Sequence, residues 1–229
     1  MPYFLLLIFE LILLFALSKK LINALTAILF RVTRNQRAAI HIMAIIFLPG
    51  TIFHELAHLL FAGVMLVPVG EMSVMPEIEQ NRVKLGSVQI GKADPLRRTI
   101  IGVAPVIFGL ILIFTALYFI QGANSFIWWQ IVLGLYLVFV TGNTMFSSKK
   151  DLEGVIVFTA MILIITIAVF FSLYFLKPAI LQNLFQFINK LNLEFVLNFF
   201  KMADAYLLIP IALDILIVSA GKLFKKLLF

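Results

Sequence analysis

Long apolar runs, broken by short polar clusters, set the pattern of this chain. The first covers residues 3–18 and is closed by Lys19 and Lys20. Residues 21–38 are mixed, with Arg31, Arg34 and Arg37 spaced at about a helical turn, which predicts an interfacial amphipathic helix or a polar continuation of the first span. A second hydrophobic segment, 39–66, contains Pro49-Gly50. Further apolar runs at 99–120, 126–142, 154–176 and 205–221 are each close to the roughly 20 residues needed to cross roughly 30 Å of hydrocarbon. The short connection at 121–125 sets the third and fourth spans antiparallel. Residues 177–204 alternate Phe and Leu with Asn, Gln and Lys, and are expected to form another interfacial helix.

One stretch breaks the helical pattern. Residues 67–98 alternate polar and β-branched positions, as in Val83-Lys84-Leu85-Gly86-Ser87-Val88-Gln89-Ile90, with turn formers around them. That periodicity predicts a β-hairpin or short sheet. Asp94-Pro95 then reads as the start of the next helix. The expected architecture is an all-α polytopic membrane protein with about six transmembrane helices and a small hairpin after the second. It forms a single domain over 1–229, with a core region at about 40–155 and peripheral helices at 1–38 and 156–229.

Composition agrees. Of the 229 residues 63% are hydrophobic, well above the roughly 45–50% of soluble domains, and the mean hydropathy is +1.11. Met1 to Leu17 has no basic leader and no small-residue cleavage signal, so it reads as a retained span. Cysteine is absent, which excludes disulfides, thiolate metal sites and cysteine nucleophiles. The net charge of +7 comes from Lys and Arg at span ends, where they meet lipid headgroups, and does not indicate a nucleic-acid partner. If six spans alternate, positions 82, 84, 92, 97, 98, 149, 150, 222, 225 and 226 share one side. Positions 19, 20, 31, 34, 37, 177, 190 and 201 share the other. That excess leans toward a cytoplasmic location for the first side.

The chemistry is concentrated in His54-Glu55-Leu56-Ala57-His58. On a helix, residues four apart share a face about 5–6 Å apart at Cβ. Two imidazoles there can reach one Zn²⁺, and the intervening Glu can take a proton from a metal-activated water. The plainer alternative is a pair of histidines hydrogen-bonded to neighbouring helices. Three ionisable groups in an apolar helix are costly in lipid, so they should face a partner or a wet cavity. A catalytic zinc site takes three protein ligands and leaves a position open, so a third ligand is required. His41 lies 13 residues before His54, about 20 Å along a continuous helix, and would serve only if the helix broke at Pro49-Gly50. Asp151, in the polar connection 143–153, stands out among the carboxylates. Glu153 is its nearest competitor, and Asp214 lies within the last span.

These features resemble the site-2 protease family of intramembrane zinc metalloproteases. The shared elements are HELAH in an early span, the hairpin-like region after it, Gly102-Val103-Ala104-Pro105, and an Asn followed eight residues later by an Asp. The likeness spans roughly 40–155, and HExxH is its specific part. The resemblance implies one Zn²⁺ held by His54, His58 and Asp151, with Glu55 as general base and Asn143 holding the substrate backbone or stabilising the oxyanion. The substrate would be a membrane-anchored protein or peptide, with the lipid bilayer as the other partner. The family's second motif carries prolines between Asn and Asp and a Gly after the Asp; here those places hold Phe146, Ser148 and Leu152, as in a divergent branch. Two other functions fit the same residues: a zinc-binding membrane transporter or sensor, and a non-catalytic scaffold retaining the motif. A single cluster without internal repeats argues against the former, and an intact Glu55 against the latter.

Overall fold

In the computed structural model the backbone is described for residues 2–79, 82–122, 127–146, 149–176 and 194–227. Side chains are described for these residues except at 2, 77–79, 82–84, 149–155, 159, 176, 195 and 222–227. The chain is mostly helical, with one small antiparallel β element.

Helix α1 spans Pro2–Thr33 without a break. Lys19 and Lys20, expected to close the first span, lie inside it. Lysine is a good helix former, and the Lys19 ammonium lies 3.9 Å from the ring centre of Phe15, one turn earlier. The polar continuation of the first span is therefore the observed outcome, with no separate helix over 21–38. The turn into α2 uses Arg34 at φ 51° and Asn35, whose side chain accepts from the amides of Arg37 (2.9 Å) and Ala38 (3.3 Å). Helix α2 then runs Gln36–Val64 straight through Pro49.

The hairpin expected over 67–98 is present. β1 (Val69–Ser73) pairs antiparallel with β4 (Ser87–Ile90), and β2 (Glu77–Glu79) with β3 (Arg82–Lys84). The registers nest, Ser73 opposite Ser87 and Glu77 opposite Lys84, so the two ladders make one long hairpin. Helix α3 (Pro95–Gly122) starts where Asp94-Pro95 indicated. Asp94 accepts from the Arg97 amide at 3.1 Å and pairs with its guanidinium, while Pro95 fills the first helical position, where no amide donor is needed.

Helix α4 spans Trp128–Thr144, α5 Lys149–Leu176 and α6 Glu194–Leu227. The polar connection expected at 143–153 is thus much shorter. Asn143 ends α4, and Asp151 lies in the first turn of α5. The interfacial helix expected over 177–204 is only partly described: 177–193 lie outside the described residues, and 194–204 are the first turns of α6.

Among the described residues, four helices are long and apolar enough to cross a membrane: α2, α3, α5 over Ile156–Phe175 and α6 over Val196–Gly221. Among the described side chains of the α5 segment none is buried. Ile162, Leu163, Ile164 and Ile165 are all exposed in succession, so this helix is apolar all round, a surface suited to lipid. Helices α2, α3 and α4 form the centre. The core above them joins Leu14, Val106, Ile113, Leu117, Val138, Met145, Leu207 and Ile211 from α1, α3, α4 and α6.

Helices α1 and α6 are the most extensively packed pair, and they run parallel. Phe4 packs on Phe200 near their starts, with centroids 5.6 Å apart, and Ile28 meets Gly221 near their ends. Six alternating spans would set the first and last antiparallel. The charge tally that leaned toward a cytoplasmic side depended on that alternation, so it does not transfer to this arrangement.

Candidate metal centre

Pro49 and Gly50 shape the part of α2 that carries the motif. Pro49 has no N–H to donate within the helix, and the Tyr136 hydroxyl of α4 donates to the carbonyl of Ile46 at 2.6 Å. Gly50 lets α4 approach closely, since a Cβ there would lie 2.6 Å from the Val140 carbonyl oxygen. One turn later His54, Glu55 and His58 point into the protein, with relative exposures of 5%, 4% and 8%. None of the three side chains is without a partner. The two imidazole centroids are 4.8 Å apart with rings at 84°, as expected for residues four apart on one helical face.

The orientation of His58 has an identifiable cause. Its Nδ1 lies 2.9 Å from the carbonyl oxygen of Ile101 on α3. A carbonyl only accepts, so Nδ1 carries the hydrogen, and the lone pair of the neutral ring is on Nε2. Ile101 can accept because of Pro105. In an α-helix the carbonyl of residue 101 is taken by the amide of residue 105, and proline has none. The proline in Gly102-Val103-Ala104-Pro105 thereby releases a backbone acceptor that fixes the histidine's tautomer. An acceptor of this kind behind a ligating imidazole is the usual second shell of a metal site.

The hairpin closes the site from another direction. Gly86, between β3 and β4, sits against α2; a Cβ there would lie 2.6 Å from Thr51 Cγ2 and 3.1 Å from Glu55 Oε1. Leu85 packs with the cluster around Phe47 and Val140. On the remaining side a narrow cleft beside His54 is walled by Phe53, Pro105, Phe108 and Thr144.

The other residues singled out in the sequence fall as follows. Asp151 and Glu153 have helical backbone at the start of α5, and their side chains lie outside the described residues. Among the described residues no third His, Asp or Glu joins the two histidines. His41 is exposed, and its Nδ1 is 2.8 Å from the Arg37 carbonyl. Because α2 does not break, His41 stays about 20 Å along the axis from His54. Asn143 is buried, and its amide nitrogen donates to Asp214 Oδ1 at 2.7 Å and to the Phe139 carbonyl at 3.0 Å. Its backbone carbonyl accepts from the Ser18 hydroxyl at 2.9 Å, and its side-chain Oδ1 is buried without a hydrogen-bond partner. Ile101, Pro105 as its release, and Gly86 were not recognised as site residues from sequence. For Ile101 a signal existed, the proline four residues later.

The two imidazoles on one face, one with its tautomer fixed by a carbonyl, are donors of the kind zinc takes, and among the described residues no third ligand stands with them. Pro105→Ala would return an amide to the Ile101 carbonyl and make it compete with His58. Metal affinity is expected to fall about 10–100-fold with α3 still helical, as measured by chelator competition. Unchanged affinity would show that the ring is held by something else. Compared with known protein families, curated proteins and solved structures, the chain finds no match in any of the three.

Proposed function

We propose that this chain is a multi-pass intramembrane zinc metalloendopeptidase that hydrolyses peptide bonds of membrane-anchored proteins. The observation that carries the reading is the His58–Ile101 bond, because a proline-released carbonyl fixing a histidine's tautomer prepares Nε2 as a ligand. His54 and His58 would hold the ion, with Asp151 as the third ligand and Glu153 as its competitor. When bound, zinc supplies Lewis-acid polarisation of the scissile carbonyl and makes the attacking water more acidic.

The remaining chemistry belongs to the chain. The Glu55 carboxylate takes a proton from the attacking water and passes it to the leaving amine nitrogen. Burial of Glu55 by Gly86 and Thr51 keeps bulk water away, which strengthens each electrostatic contact in the site. The hairpin suits an extended substrate: in a two-stranded sheet each strand keeps one edge unpaired, and an added strand recovers backbone hydrogen bonds that lipid cannot offer. Since Gly86 precedes β4 and touches Glu55, a strand laid along β4 would pass the general base. Asn143 has its amide nitrogen engaged by Asp214 and Phe139, and in this reading it holds α4 to α6.

Two measurements on the purified protein test the proposal. Zinc content is expected near one ion per chain, falling to near zero in His58→Ala and sharply in Asp151→Ala. A wild-type level in Asp151→Ala would move the third ligand to Glu153 or elsewhere. Cleavage of a membrane-anchored reporter is expected to stop on chelation and return with zinc. Bound zinc without any reporter cleavage would instead support a zinc transporter or sensor.

A further inference from the structure

The seam between α1 and α6 contains two carboxylates that the zinc reading does not use. Glu10 and Asp204 are buried, at 3% and 5% exposure, and the parallel register set by Phe4 on Phe200 and Ile28 on Gly221 puts them at about the same level of the seam. Glu10 Oε2 and both oxygens of Asp204 are shielded from solvent and have no hydrogen-bond partner. Ionisable groups in membrane helices usually mark a functional site, and two buried carboxylates cannot both remain charged without a counter-charge.

Donors nearby are engaged elsewhere. Lys201, one turn before Asp204, is exposed, and Lys19 lies on the Phe15 ring. The Tyr206 hydroxyl donates to Gln121 at 2.7 Å, and Tyr118 of α3 is exposed. The same seam shows how this fold satisfies an acid with a protein donor. Three helical turns further along α6, Asp214 is fully buried and accepts from Asn143. Among the described residues no equivalent donor is supplied to Glu10 Oε2 or Asp204.

We propose that the α1–α6 seam binds one monovalent cation, a proton or a sodium ion, between the carboxylates of Glu10 and Asp204. Three buried acceptor oxygens without partners, on two parallel helices packed together, suit a single small positive charge. Bound there, it also removes the repulsion that would push the two helices apart. This site is separate from the histidine pair, and its occupancy does not depend on peptidase activity.

The wild-type protein in sodium-free liposomes, treated at mildly acidic pH with dicyclohexylcarbodiimide, provides the test. This apolar reagent adds to protonated carboxyl groups, and the modified residue is located by peptide mass analysis. An adduct is expected at Glu10 or Asp204, and it is expected to disappear in the double variant Glu10→Gln, Asp204→Asn. If the cation is a proton, labelling falls as pH rises and ignores sodium. If it is sodium, labelling at fixed pH drops several-fold in sodium chloride and not in choline chloride. No adduct at either carboxyl, together with no radiosodium retained by the wild-type protein, overturns the proposal. The labelling needs no variant, so a folding failure in the double mutant leaves the test intact.

Discussion

Glu55→Gln is expected to lower reporter cleavage by about 10²–10⁴-fold while leaving metal content and thermal stability at wild-type levels. The substitution keeps the shape of a side chain that is only 4% exposed and packed under Gly86 and Thr51, so the fold has little reason to respond. It removes the one property the mechanism needs from this position, a basic oxygen that can accept a proton and release it to nitrogen. His54 and His58 flank Glu55 along the helix and keep their own contacts, including the His58–Ile101 bond. Activity and zinc occupancy should therefore separate, with the first lost and the second kept. Full activity in the variant would end the general-base assignment. Loss of zinc along with activity would instead make Glu55 part of the metal's coordination.

The parts of this molecule that were legible in the sequence are those set by neighbours along the chain. The i, i+4 spacing of His54 and His58 is a property of one helix, and the two rings do share a face. Asp94-Pro95 and the alternation through 83–90 are local signals too, and both elements formed where expected. What was not legible depends on which elements meet. The Ile101 carbonyl matters only because α3 crosses α2 at His58, a contact 43 residues apart. The hydrogen-bond partner of the Asn143 amide nitrogen, Asp214, is 71 residues away, so that bond had no local signal. Glu10 reads as an isolated acid in an apolar run until the packing of α6 on α1 brings Asp204 to the same level of the seam. The parallel course of α1 and α6 contradicts simple alternation, since its cause lies in how the two helices pack. Lys19 and Lys20 misled in a different way: a basic pair normally ends a span, but a helix can outlast its apolar stretch when the lysine stems lie along its own surface.

Gly50→Ala separates two opposing effects and is expected to destabilise the protein by about 1–3 kcal/mol. Propensity alone gives the opposite sign, because alanine in a helix interior is better than glycine by about 0.5–1 kcal/mol. The difference comes from the site. A Cβ at residue 50 would lie 2.5 Å from Thr144 Oγ1 and 2.6 Å from the Val140 carbonyl oxygen. The threonine hydroxyl is held by that same carbonyl at 2.8 Å, and a backbone oxygen inside α4 cannot rotate away. The helices must therefore part, stretching the Tyr136–Ile46 bond and moving His54 away from the wall formed by Thr144. Gly63, near the end of the same helix, is the control. Nothing lies within 4 Å of a Cβ there, so Gly63→Ala is expected to be neutral or stabilising by up to about 1 kcal/mol. Denaturant midpoints of the two variants in detergent should move in opposite directions or differ clearly. Zinc affinity and reporter cleavage should fall only in Gly50→Ala. If both alanines behave alike, α2 and α4 are not in the close contact on which the placement of His54 depends.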